Sequence, residues 1–197
     1  MAVRIKSKWH RSKRSERNIK GSQQPKTLSD LSGVIAFNMW KLAQNLFKHM
    51  EGEGFRFATD QQVVDVLTDL LAYGVHSVDR LIYGKVDEAQ RGPFVTALAR
   101  DLAKTMEGNQ IDLLGAGDYF DAFISKLNQR FAVYAECSFE NQEPGYEFNR
   151  YLARNIADSM SQTDDKWVIE QVIDIEIPEY YPKLRRLVED VLGAKDG

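Results

Sequence analysis

The sequence predicts an all-α protein, a single-domain helical bundle of about seven helices that follows a basic N-terminal arm. Apolar side chains recur every third or fourth residue through most of the chain after residue 27, which is the period of an amphipathic helix. Short links rich in Gly and Pro separate these segments, and no alternation of strand and helix patterns indicates a parallel sheet. A chain of 197 residues suits one such domain.

Charge divides the chain into two regions. Residues 1–26, here called the arm, contain nine Lys and Arg but one acid, Glu16, which gives a net charge of +8. Residues 27–197 contain 17 basic and 28 acidic side chains, which gives a net charge of −11. The sequence therefore predicts a flexible basic arm on an acidic, all-helical domain.

The arm is a candidate for contact with a polyanion, either nucleic acid or another acidic surface. Lys and Arg neutralise phosphates without reading sequence, and Trp9 and His10 offer rings that stack on bases. A solvated tail is the competing interpretation. The side chains assigned to polyanion contact are Lys6, Lys8, Arg11, Lys13, Arg14, Arg17 and Lys20.

The first predicted helix begins after Thr27 or Ser29, either of which would cap it, and ends before Gly52. Its apolar surface is wider than one stripe, which indicates a central helix or a subunit interface. We therefore expect a homodimer that uses the helix at residues 33–50. The predicted interface side chains are Phe37, Trp40 and Phe47.

Four further helices follow in order. Thr59 and Gln62 form a capping-box pattern ahead of the second helix, which is expected to end near Gly84. Gly92-Pro93 predicts the start of the third helix, whose apolar repeat stops before Gly108. The fourth and fifth helices lie on either side of a loop at residues 140–145. Their inward positions are Phe120, Ile124, Leu127, Phe131 and Tyr134, then Phe148, Leu152, Ile156 and Met160.

The stretch after residue 161 is ambiguous. The QTDD sequence at 162–165 would cap a helix, but isoleucines between 172 and 178 alternate with acids as in a half-buried strand. A lone strand has no partner in this chain, so we expect a helix to about Glu176 that frays before Pro178. A strand that pairs across a dimer is the alternative. A last helix is predicted to begin near Pro182.

One cluster of metal-ligating residue types lies on the second helix. Asp65, Asp69, His76 and Asp79 fall on one face of it. Carboxylates and imidazole bind divalent cations, so this set is a candidate metal or small-ligand site. The face lies opposite the apolar stripe, however, and a solvated polar face is the competing interpretation.

No other residue set indicates a cofactor or a catalytic centre. The sequence lacks a Glu-x-x-His pair on its helices, a His-Glu-x-x-His run and a phosphate-binding loop. His49 is expected to interact with the dipole at the end of its own helix. The lone Cys137 excludes an intramolecular disulfide and is expected to pack as a small apolar residue.

These observations predict a soluble, cytoplasmic protein without a transmembrane segment. The longest stretch of low charge has 15 residues, whereas a spanning helix needs about 20. The expected function is contact with other proteins, as a homodimer, with the arm adding non-specific polyanion contact. The alternative is a helical bundle that binds a metal or small ligand, or hydrolyses one, through the Asp65, Asp69, His76 and Asp79 face.

Overall fold

A computed structural model describes residues 27–160 and 165–193, and both ranges are almost entirely helical. The arm and the cap predicted at 162–164 lie outside the described residues. The predicted all-α bundle is confirmed, with seven α-helices in the described ranges. In these ranges no helix combines the length and the apolar character needed to span a membrane. The helices are α1 (Leu28–Gly52), α2 (Asp60–Ile82), α3 (Glu88–Leu114), α4 (Tyr119–Glu136), α5 (Tyr146–Met160), α6 (Asp165–Gln171) and α7 (Ile177–Gly193).

A short β-hairpin, whose two strands have two residues each, links α4 to α5, where the sequence predicted a loop. Its strands, β1 (Phe139–Glu140) and β2 (Glu143–Pro144), pair antiparallel. Asn141 and Gln142 form the tight turn with φ of 53° and 63°, the left-handed geometry that such short hairpin turns require. The Tyr181 hydroxyl of α7 donates to the Gln142 carbonyl, which ties the hairpin to the bundle.

Capping boxes start α1 at Thr27, one of its two predicted caps, and α2 at Thr59, as predicted. Thr27 Oγ1 accepts a hydrogen bond from the Asp30 N–H, and the Asp30 carboxylate accepts one from the Thr27 N–H. Thr59 and Gln62 make the same reciprocal pair for α2. Each box satisfies two backbone donors that a helix start would otherwise leave unpaired.

The third helix, α3, is longer than predicted at both ends. It begins at Glu88 and not at Pro93, because the Asp87 carboxylate caps the preceding turn. It continues through Gly108 to Leu114, and the two side chains that follow the glycine are buried. Those tertiary contacts outweigh the roughly 1 kcal/mol that a helical glycine costs.

The segment predicted to fray before Pro178 is an unbroken helix. A π-helical turn at Val172–Glu176 joins α6 to α7, and in it the Ile177 N–H donates to the Val172 carbonyl five residues back. This wider turn directly precedes Pro178, whose missing N–H would interrupt a regular α-helical ladder. The helical interpretation is therefore correct to Glu176, whereas the predicted break and the alternative strand are wrong.

The central helix of the bundle is α2, which contacts α1, α3, α4, α5 and α7. Tyr73, at its middle, is fully buried and donates its hydroxyl to Asn149 Oδ1 at 2.9 Å. The next residue, Gly74, lets two helices approach closely. A Cβ at Gly74 would lie 2.8 Å from both Met39 Sδ of α1 and Tyr180 Oη of α7. Three helices therefore meet at the middle of α2.

The wide apolar face of α1 is covered within one chain. Both α3 and α7 pack against it, and Trp40 and Phe47 are only 1% and 2% exposed. These two predicted interface side chains belong to the core of the single chain, because neighbouring helices already remove them from water. Of the predicted interface residues only Phe37 keeps partly exposed surface, and Lys41 Nζ lies 4.2 Å from its ring centroid.

A methyl group added at Gly74 should destabilise the domain. Gly74→Ala gains roughly 1 kcal/mol of helix propensity, but overpacking against Met39 and Tyr180 costs about 1–3 kcal/mol. We expect a net loss in the free energy of unfolding, measured by urea denaturation. Gly33→Ala is the matched control on α1. The nearest atom to its Cβ, Asp101 Oδ2, lies 3.6 Å away, so this variant should gain about 0.5–1 kcal/mol. Equal effects of the two substitutions would contradict the close crossing.

Candidate functional site

The candidate metal-binding face of α2 is covered and is not a solvated face. Asp69 is 1% exposed and His76 is 4% exposed, because α4 packs over this side of α2. Asp65 and Asp79 lie towards the two ends of the covered strip and are partly buried. The spacing of apolar residues identified the apolar face of α2, but it could not show that another helix covers the opposite face.

An ion-pair cluster of Asp65, Asp69, Lys126 and Arg130 joins α2 to α4. Arg130 Nε donates to Asp69 Oδ1 at 2.9 Å, and Lys126 Nζ lies 3.6 Å from Asp69 Oδ2 and 3.2 Å from Asp65 Oδ1. Arg130 also donates to the Tyr151 hydroxyl of α5 at 3.2 Å. Burial raises the pKa of Asp69, and the two cations oppose that rise. The contact between α2 and α4 therefore depends on compensated buried charge.

Asp79, at the far end of the strip, also meets a cation. Arg91 Nη1 of α3 lies 2.6 Å from Asp79 Oδ1. The adjacent Arg80 donates to the Tyr134 and Ala135 carbonyls at 3.3 and 2.8 Å. All three predicted aspartates thus have a Lys or Arg partner. Across residues 27–160 and 165–193, no group of three or more His, Cys, Asp or Glu side chains is placed to hold a metal ion.

His76 is enclosed by two rings and one carbonyl of α4. Its Nε2 lies 3.3 Å from the Leu127 carbonyl oxygen, and the ring centroids of Phe131 and Tyr134 are 5.1 and 5.0 Å away. Burial, aided by the charge of Arg80 and opposed by the Leu127 carbonyl, lowers the pKa of His76 to about 4. The ring is therefore neutral at pH 7 and donates its Nε2–H to α4.

A second pair of titratable groups lies where α1 ends beside the π turn. His49 Nδ1 is 3.0 and 3.2 Å from the two carboxylate oxygens of Glu176. Glu176 is 1% exposed, whereas the His49 side chain is 43% exposed. Burial raises the pKa of Glu176, and the hydrogen bond from His49 opposes that rise. His49 does lie in the last turn of its helix, as predicted, but its partner is a carboxylate on another helix.

Glu176 was not among the residues predicted to form a site. Its signal is an acid on an apolar stripe, because Val172, Glu176 and Tyr180 follow at spacings of four and are all buried. An acidic side chain in such a position is expected to be paired, since burying an isolated charge is costly. The stripe is visible only if residues 172–180 are read as one continuous helix.

A pocket of about 190 Å³ opens beside His49 between α1 and α7. His49 Nε2, the ring nitrogen turned away from Glu176, has Glu53 Oε1 at 3.9 Å, which is too long for a hydrogen bond. Lys183 Nζ pairs with Glu179 at 2.8 Å on the same pocket wall. The lining residues are Leu42, Asn45, Leu46, His49, Glu179, Tyr180 and Lys183.

A wider groove of about 450 Å³ has α5 as one wall and α6 together with the π turn as the other. Its α5 wall carries Arg150 and Arg154, and the facing wall carries Lys166, Glu170 and Asp174. Lys166 already pairs with Glu170 at 3.6 Å. Opposite charges on facing walls make this a mixed surface that favours no single class of ligand.

The fold and these contacts define an all-α bundle with compensated buried charge beside its central helix and a histidine–glutamate pair at a small pocket. Comparison of the chain with protein families, with curated proteins and with solved structures found no match. The function of this protein is therefore inferred from its own residues.

His76 should make the domain less stable as the pH falls from about 6.5 towards 4. Its folded-state pKa of about 4 lies below the ordinary value of 6.5. In that window the unfolded chain binds a proton that the folded domain does not, so folding loses up to about 3 kcal/mol. Urea denaturation of the wild type and of His76→Gln at several pH values measures the loss. Buried carboxylates affect both proteins alike, so the difference between their free energies of unfolding reports on His76. If the two free energies change with pH in parallel, His76 does not have the lowered pKa.

Loss of Arg130 should destabilise the domain far more than loss of an exposed cation. Arg130→Met leaves Asp69 buried with Lys126 as its remaining cation, so we expect a cost of about 2–4 kcal/mol, slightly below the usual value for a broken buried pair. Lys166→Met is the control, because its pair with Glu170 is exposed and worth about 0–1 kcal/mol. Chemical denaturation compares the two, and a loss below 1 kcal/mol for Arg130→Met would show that the buried pair is not needed.

Proposed function

We propose that this protein binds polyanions through its arm and thereby holds its acidic helical domain at the bound polymer. The supporting observation is the division of charge, +8 in residues 1–26 against −11 in residues 27–197. A basic segment gains affinity by releasing the counterions condensed on a polyanion, whatever the sequence of that polymer. The acidic domain is repelled by the same polymer, so binding is confined to the arm.

The contacts of the helical domain are consistent with this division. At least nine of the Lys and Arg side chains in the described ranges form an ion pair with a carboxylate of the same domain. Their charge is compensated locally, so they add little attraction for a polyanion. These side chains are Arg91, Lys104, Lys126, Arg130, Arg150, Lys166, Lys183, Arg185 and Arg186.

Self-association through α1 has less support. Trp40 and Phe47 are buried within the chain, so a dimer on this helix would rely on Phe37 and its surroundings. A stable interface buries about 800 Å² on each partner. The homodimer and the cytoplasmic location therefore stay predictions from the sequence. The metal or small-ligand role of the α2 face is likewise not part of the proposal, because its aspartates already have cation partners.

Neutralising the arm should abolish salt-dependent binding to a polyanion. The probe is a fluorescein-labelled single-stranded oligothymidylate, and fluorescence anisotropy measures its affinity for the full-length protein. If five phosphates are contacted, the wild-type affinity should fall roughly hundredfold between about 50 and 200 mM salt. The test variant carries Gln in place of Lys6, Lys8, Arg11, Lys13, Arg14, Arg17 and Lys20.

The matched control removes the same number of positive charges from the domain. It should keep its affinity within about threefold, because these exposed cations lie outside the arm. An equal loss of binding in both variants would show that total charge and not the arm governs contact, which would contradict the proposal. The control carries Gln in place of Lys48, Lys85, Arg100, Lys104, Arg154, Lys166 and Arg186.

A further inference from the structure

His49 and Glu176 have the arrangement of a general base held by a carboxylate, and they stand beside a pocket. We propose that the His49–Glu176 pair is a catalytic site that hydrolyses small carboxylic esters bound in the pocket between α1 and α7. His49 is the catalytic base, and Glu176 is a positioning residue. The proposal is independent of the arm and of polyanion binding.

Hydrogen bonding sets the tautomer of the His49 ring. A carboxylate only accepts hydrogen bonds, so the Nδ1 atom that lies 3.0 Å from Glu176 Oε2 carries the proton. In the neutral ring the other nitrogen, Nε2, is then left with its lone pair. The His49 side chain is 43% exposed and lines the pocket, and Glu53 Oε1 lies 3.9 Å from Nε2. A buried carboxylate that fixes a histidine in this way orients the ring and stabilises the imidazolium formed during proton transfer.

The π turn explains why this glutamate is buried at all. It places Glu176 on the inward side of the continuous helix formed by α6, the π turn and α7, where it faces the last turn of α1. Such turns widen a helix locally and occur frequently at functional sites. A buried acid also costs stability that an apolar residue at this position would not. A role in holding His49 accounts for its presence.

The pocket supplies both an apolar floor and hydrogen-bond donors. Leu42, Leu46 and Asn45 line it from α1, and Lys183, whose Nζ pairs with Glu179 Oε2 at 2.8 Å, lines it from α7. Its volume of about 190 Å³ corresponds to roughly six water molecules at about 30 Å³ each. A short acyl group fits this space. Asn45 and Lys183 carry donors of the kind that stabilise an oxyanion as it develops on a carbonyl.

Water is the nucleophile that this residue set supports. The neighbouring Tyr180 hydroxyl is directed into the core, since it approaches within 2.8 Å of the position of a Cβ at Gly74. As the water oxygen bonds to the ester carbonyl carbon, one water proton passes to His49 Nε2 and the carbonyl electrons move to its oxygen. The tetrahedral intermediate re-forms the carbonyl and breaks the bond to the alcohol oxygen, which takes the proton from Nε2. Acid and alcohol leave, and His49 returns to its neutral form.

Turnover of p-nitrophenyl acetate by the full-length protein at neutral pH tests the proposal. Loss of the base in His49→Gln should lower kcat/KM by at least about tenfold, and Glu176→Gln should lower it by a similar factor. His10→Gln and His76→Gln are the controls, since one lies in the arm and the other is enclosed beneath α4. Both controls should keep the wild-type rate.

Four results would overturn the proposal. The first is an unchanged rate in His49→Gln, and the second is an unchanged rate in Glu176→Gln. The third is a single burst of p-nitrophenol without turnover, which would mean that the ring is acetylated and not regenerated. The fourth is a rate equal to that of free imidazole at the same concentration, which would show that the pocket contributes nothing.

A spectroscopic measurement on the wild type keeps the test decisive if Glu176→Gln folds poorly. Nitrogen–proton correlation spectra of the wild-type His49 ring should show the proton on Nδ1 and an unprotonated Nε2. A wild-type ring with its proton on Nε2 would contradict the assigned hydrogen bond and the mechanism with it. If Glu176 had only a structural role, a folded Glu176→Gln variant would hydrolyse the ester at the wild-type rate.

Discussion

The ion pairs between Asp69 on α2 and the two cations of α4 constrain the rest of the bundle. Five helices surround α2, so a buried carboxylate on it needs a cation from a neighbouring helix. Asp69 finds Arg130 and Lys126, which determines how α4 lies along α2. That placement in turn brings the Leu127 carbonyl to His76. Apolar stripes alone specify that helices pack, whereas these charges specify which residues meet.

Local rules were sufficient for the helical class and for several helix starts. Thr27 and Thr59 cap their helices through contacts three residues away, so the pattern needs no knowledge of the rest of the chain. The helix boundaries that failed depend on distant contacts. Burial after Gly108 and the π turn before Pro178 both continue helices that a local reading ends.

The functional residues were harder to predict for a related reason. Helical periodicity tells which residues share a face, but it does not tell how many layers of protein lie above that face. The Asp65 to Asp79 set was therefore interpreted as a candidate metal site or a solvated polar face, although α4 covers its centre. Trp40 and Phe47 were assigned to a partner when neighbouring helices of the same chain cover them. Phe131 shows the reverse error, since it was placed inward and is 48% exposed.

The packing of α1 against α7 has a consequence for how the protein is made. These helices are far apart in sequence, so α1 leaves the ribosome long before α7 exists. At typical rates of synthesis the nascent chain carries the surface of α1 that α7 later covers for on the order of ten seconds. Apolar side chains of α1 that are buried in the finished fold are then exposed in the unfinished chain. Chaperones that bind exposed apolar side chains would therefore act on this protein during translation.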